Sequence, residues 1–153
     1  MKVLLYQGRS WISKAIKWQT RSKYSHVAVE LNDGSVIEAW HKGGVRRIIN
    51  PWVGHTNRTR VDFFSVNADF APATLETWLR QQVGMKYDFG AIARFMSRRN
   101  EPADDRWFCS ELVTYGFRVA GLDLLHESIP ASHVSPRDVS ISPYLDFIKS
   151  ETR

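Results

Sequence analysis

Val27, Val29 and Leu31 alternate with polar or small residues, Asn32-Asp33-Gly34 interrupts them, and Val36 to Trp40 resumes an extended run. A period of two on both sides of a glycine-bearing turn predicts a β-hairpin. Val3 to Tyr6 reads as a short strand. Ser10 is placed to cap a helix from Trp11 to about Trp18, with Trp11, Ile12, Ala15 and Ile16 on one apolar face. Gly44 to Ile49 and Thr59 to Ser65 read as further strands. Pro72 precedes a helix carrying Leu75, Trp78, Leu79, Gln82 and Val83, stopped by Gly84. A helix is predicted from Asp88 to Arg98 and a polar loop from Asn100 to Asp105. Another helix starts near Cys109, with Leu112, Val113, Gly116, Phe117 and Ala120 on one face and Gly121 past its end. The tail from Ile129 reads as Pro- and Ser-rich loop with one strand near Val139 to Ile141. The sum is an α+β domain, a small antiparallel sheet packed against helices.

At 153 residues the chain is long enough for one domain, taken as residues 1–153, with a core that needs no staples. Its one cysteine excludes an internal disulfide, so folding does not depend on an oxidising compartment. Met1 to Gly8 is too short an apolar stretch for a signal peptide, and no run approaches transmembrane length. These features predict a soluble chain, cytoplasmic by default, with export or phage-mediated release as alternatives. Nothing in the sequence indicates an oligomeric state. A formal charge of +5 admits acidic partners. The basic residues come in scattered pairs, Arg46-Arg47, Arg58 and Arg60, Arg98-Arg99, which suits a solvated surface and not a specific nucleic-acid site.

Candidate chemistry centres on Cys109. Three residues before Leu112, it sits on the helix face that meets the sheet, in the first turn, where unpaired N–H groups and the macrodipole favour a thiolate. A small buried hydrophobe is the alternative reading for a lone cysteine. The hairpin supplies a partner. A three-residue loop with Gly34 left-handed pairs Leu31 with Ser35 and therefore Ala28 with Glu38 and His26 with Trp40. Val27, Val29, Leu31, Ile37 and Ala39 then share a core face, and His26, Ala28, Glu30, Val36, Glu38 and Trp40 share the other. Glu38 lies diagonally across from His26, where a carboxylate orients the imidazole and frees its second nitrogen for a thiol. A two-residue loop would put His41 opposite His26 and turn Glu38 away.

Together these segments resemble the permuted papain-like branch of the NlpC/P60 superfamily, the YiiX/YaeF-type amidases. The matching stretches are Tyr24-Ser25-His26-Val27, Ile37-Glu38-Ala39 with Gly44-Val45, Tyr87-Asp88, Phe108-Cys109-Ser110-Glu111-Leu112-Val113 and Ser135-Pro136-Arg137-Asp138-Val139. They span nearly the whole chain, with histidine and acid ahead of the cysteine as in that branch. Met1-Lys2 stands where members often carry Gly-Asp, and Ala28 where a glycine is common.

The resemblance implies a circularly permuted papain-like fold, Cys109 as nucleophile, His26 as general base and acid, and Glu38 as orienting residue. It also implies a peptide substrate, such as a cell-wall peptide or peptidoglycan fragment, with acyl-lipid amides or esters as a rival class. A non-catalytic binding module on the same fold is a rival of another kind. The Cys109 N–H is an expected oxyanion donor.

Tyr24, Trp40 and Trp107 are candidate substrate contacts because they flank the reactive groups; Tyr24 is equally a packing aromatic. Trp11, Trp18 and Trp78 have the spacing of helical core residues. His26, His41, His55 and Cys109 are metal ligands on paper, yet none shows the close spacing of a zinc site, so no metal or cofactor is expected. His55, His126 and His133 lie among polar or turn residues and read as surface histidines.

Overall fold

In the structure, a computed structural model describing residues 1–91 and 105–153, the alternating segments form a six-stranded antiparallel sheet. Strand β1 (Lys2–Gln7) is followed by helix α1 (Trp11–Thr20), β2 (His26–Glu30), β3 (Val36–Trp40), β4 (Gly44–Ile48) and β5 (Arg60–Val66). Helix α2 (Pro72–Gln82) leads to a short strand β6 (Lys86–Tyr87), which pairs in parallel with β7 (Arg106–Trp107). Helix α3 (Cys109–Val119), a 3-10 turn (Ala131–His133), helix α4 (Pro136–Ser140) and β8 (Leu145–Thr152) complete the chain. The sheet order is β4-β3-β2-β1-β5-β8.

Local chemistry sets most of these boundaries. Ser10 Oγ accepts the Ser13 N–H at 3.1 Å and caps α1. In the hairpin, Gly34 takes φ 80° and the Leu31 N–H donates to the Ser35 carbonyl at 2.8 Å. Val29 is therefore opposite Ile37 and Glu30 opposite Val36, the register expected from a three-residue loop. Gly121, just past α3, takes φ 88°.

The sheet separates two apolar layers. Val27, Val29, Leu31, Ile37 and Ala39 pack with Leu112, Val113 and Phe117 of α3 and with Leu75 and Leu79 of α2. On the opposite face Ala28 and Val36 join Leu4, Tyr6, Ile48, Val61 and Phe63. Gly44 sits where the two sheets touch: at φ 81°, a Cβ there would stand 2.0 Å from the Met85 carbonyl oxygen. That carbonyl accepts the Val45 N–H at 2.8 Å, tying β4 to the segment before β6.

Several expectations are corrected. Val139 belongs to α4 and not to a strand, because Ser135 and Asp138 form a capping box and Pro136 opens the helix. The tail does carry a strand, β8, but further on; most of its residues are exposed and lack period-two burial, so only pairing with β5 defines it. Trp11 and Trp18 are each 78 % exposed, since Ile12 and Ile16 alone anchor α1. The expected loop at 100–104 and most of the helix expected from Asp88 to Arg98 lie outside the described residues. No helix among the described residues is long and apolar enough to cross a membrane.

Candidate active site

The hairpin register carries the first half of the site. His26 Nε2 lies 2.6 Å from Glu38 Oε2, so the imidazole is tied to the carboxylate through that nitrogen and Nδ1 is left for another partner. Cys109, the first residue of α3, stands close enough to act electrostatically on His26. The structure thus brings together His26, Glu38 and Cys109, from β2, β3 and α3.

Glu38 is fully buried, and its environment is richer than the sequence suggested. Arg46 donates to Oε1 from Nε at 2.9 Å and from Nη2 at 2.6 Å. His55 Nε2 stands 3.3 Å from Oε2. Burial alone would push the Glu38 carboxyl up, but His26 and His55 outweigh it and hold the group well below the usual carboxylate range. Burial likewise pulls the His26 imidazole down, yet the Cys109 sulfur and the Glu38 carboxylate outweigh it and lift its pKa to about 9. His55 is shifted the other way, mainly by burial. Two histidines on one carboxylate are therefore shifted in opposite directions, and the one shifted upward is the one that Cys109 influences.

His55 corrects the expectation of a surface histidine. It is buried, stacked on Tyr6 with ring centroids 4.3 Å apart, and held on its loop by Arg153, which donates to its carbonyl. Among the other two, His126 is exposed and His133 is half-buried. Arg46 is likewise no solvated surface charge: its side chain is 25 % exposed, paired with Glu38 and laid over Trp40 at 4.4 Å. A signal for Arg46 was present. Residues 38 and 46 face each other across the β3–β4 hairpin, Glu38 opposite Arg46, an opposite-charge cross-strand pair. His55 had no such signal, because it arrives on an irregular loop.

A cavity of about 250 Å³ opens beside the imidazole, lined by His26, Trp40, His41, His55 and Tyr87 and rimmed by Arg9, Trp11 and Lys42. Trp40 stands edge-on to His26 at 5.6 Å. The Tyr6 hydroxyl, also at this cavity, is buried and has no hydrogen-bond partner among the described residues. Cys109 is 1 % exposed and is not in the cavity lining, so a ligand entering there meets His26 before the sulfur.

Two of the expected substrate contacts fall elsewhere. Tyr24 precedes β2, so strand alternation does not align it with His26; its ring is in the core and its hydroxyl donates to Asp62 at 2.7 Å. Trp107 packs edge-on against Trp78 at 5.3 Å and donates from Nε1 to Gln82, away from the cavity. His26, Glu38 and His55 also present ligand atoms within 4.8 Å of one another, the arrangement among the described residues that would most readily receive a metal ion.

No protein-family model matches this chain, and no curated protein matches it. Among solved structures it is similar to the metalloprotein yiiX from Escherichia coli O157:H7, at 24% identity and a TM-score of 0.73, over 99% of this chain and 97% of that one. The likeness is one of fold: this chain shares with yiiX an α+β architecture in which helices cover an antiparallel sheet.

Proposed function

We propose that this chain is a papain-like cysteine hydrolase of circularly permuted order, cleaving an amide bond through a thioester acyl-enzyme. One arrangement carries the reading: an imidazole hydrogen-bonded to a buried carboxylate and close enough to the sole cysteine to be shifted by it. A structural module has no need of that relay.

In the proposed cycle the Cys109 thiolate attacks the amide carbonyl, with the Cys109 N–H at the start of α3 facing the oxyanion. His26 gives its Nδ1 proton to the leaving nitrogen as the C–N bond breaks, leaving a thioester. The neutral imidazole then takes a proton from water as hydroxide attacks the thioester carbonyl, and collapse of the intermediate breaks the C–S bond, releasing the acid and leaving the thiolate beside the imidazolium. Glu38 keeps the imidazole oriented and stabilises its charged form, while Arg46 and His55 satisfy the remaining lone pairs of the carboxylate. Since the sulfur is buried, the carbonyl reaches it only when the site opens locally.

A metal reading arises because yiiX is named a metalloprotein and because His26, Glu38 and His55 converge. The arrangement fits a proton better than an ion. Ligands about 2.0–2.2 Å from one metal stand apart by more than a hydrogen-bond length. Here His26 and Glu38 are only 2.6 Å apart and Arg46 already places a positive charge on the same carboxylate. No step is therefore routed through a metal.

The substrate class implied by the resemblance is a peptide, such as a peptidoglycan fragment, with N-acyl lipids as the rival. Incubation with each, followed by mass spectrometry against Cys109→Ala, separates them: new amine termini mark the first and free fatty acid the second. Products from neither, combined with alkylation of Cys109 by iodoacetamide that is unchanged in His26→Ala, would overturn the hydrolase reading and favour a binding module.

A further inference from the structure

Helix α1 presents two unlike faces. Ile12 and Ile16 turn into the core, while Trp11, Lys14 and Trp18 lie on the solvent side and Arg21 continues that stripe just beyond the helix end. At about 100° per residue these four positions fall within one narrow stripe, nearly opposite the buried pair. Two tryptophans left 78 % exposed on one helix face are a conspicuous amount of unburied aromatic surface. The sequence around them is basic. The first acidic residue in the chain is Glu30, whereas Arg9, Lys14, Lys17, Arg21 and Lys23 all precede it. Among the described residues, Arg9, Lys14, Lys17 and Arg21 take part in no ion pair.

We propose that this face of α1 docks on an anionic lipid surface and holds the mouth of the His26 cavity against it. Tryptophan favours the boundary between water and acyl chains because its ring is apolar and its N–H polar. Lysine and arginine beside it are drawn by anionic headgroups. The stripe is continuous with the cavity, since Trp11 stands on the rim with Arg9 and Lys42. A convex helix face also suits a flat bilayer surface better than a nucleic-acid strand, which stacks its bases within a groove that follows its backbone. The docking does not rest on the proposed chemistry, because it concerns binding alone.

The test is co-sedimentation of the full chain with phosphatidylcholine vesicles, with and without phosphatidylglycerol. Parallel arms measure binding to a single-stranded RNA oligonucleotide and the mass of the free protein. The expected result is binding that requires the anionic lipid and weakens with salt. Lys14→Glu with Arg21→Glu should weaken it by at least about 25-fold, at roughly 5-fold for each charge removed. Trp18→Ala with Trp11→Ala should cost at least about tenfold. Thermal melts confirm that these surface variants remain folded. Cys109→Ala should bind like the parent chain, which keeps this result independent of whether the protein is a hydrolase. Equal binding to neutral and anionic vesicles, no vesicle binding, indifference to both pairs of substitutions, binding of the RNA in place of vesicles, or a dimer that covers Trp11 and Trp18 would each overturn the proposal.

Discussion

Glu38→Gln removes one negative charge from the centre of the site while nearly preserving volume. The parent carboxylate is fully buried and accepts from Arg46 twice, at 2.9 and 2.6 Å, from His26 at 2.6 Å and from His55 at 3.3 Å. An amide has one acceptor oxygen. Its NH₂ would have to face either the guanidinium or the two ring nitrogens, leaving donors against donors. Breaking a buried charge pair on one side costs about 3–5 kcal/mol. For a domain of this length that lowers Tm by roughly 6–20 °C, at ~2–4 °C per kcal/mol. The pH dependence fixes the cause. The Glu38 pKa is depressed below its ordinary value of 4.5, so its contribution is complete above that pH and is lost as pH falls through the lower folded value. Melts of parent and variant should therefore differ most at neutral pH and converge in acid. In the same variant kcat/KM on the substrate identified by mass spectrometry should drop by about 10²–10⁴, because the imidazolium loses its orienting anion. A variant that melts with the parent at neutral pH, or a gap that persists undiminished in strong acid, refutes the assignment of Glu38 as the charged hub.

Other consequences are equally accessible. His26 is lifted from 6.5 to about 9, so it contributes stability in full below 6.5 and loses it as pH rises through about 9. In Cys109→Ala, NMR should find the same imidazole titrating at lower pH; an unchanged value would dissolve the sulfur–imidazole pair. Tyr24→Phe removes one bond to the buried Asp62 and should destabilise by ~1.5–3 kcal/mol while leaving turnover intact, as read by thermal melts and rate assays; loss of turnover at full stability would return Tyr24 to the cleft. Gly44→Ala forces a Cβ against the Met85 carbonyl and should cost at least ~2 kcal/mol in denaturant titrations, and a neutral outcome would show that the contact between the two sheets yields readily.

Much of the fold is a local matter. Residues 26–40 carry their own register, because Gly34 admits a left-handed turn and a period of two leaves one assignment of faces; that settles why His26 and Glu38 meet. The start of α3, which positions Cys109, follows from short-range helix periodicity and the glycine that ends it. What no local pattern contained were the contacts made across long stretches of chain. His55 reaches Glu38 on a loop that Arg153 clamps from the far terminus, and β8 exists by pairing with β5. Trp18 has the spacing of a core residue, yet Ile12 and Ile16 fill the available contact and leave it in solvent. Periodicity states which residues share a face; only the packed neighbours state whether that face is covered. Burial of Cys109 is of the same kind, since it depends on surrounding elements brought together by folding. Short-range geometry sufficed for an imidazole beside a carboxylate, whereas the upward shift of that imidazole's pKa needs Cys109, distant in the chain, and acts against the desolvation that the packed core imposes.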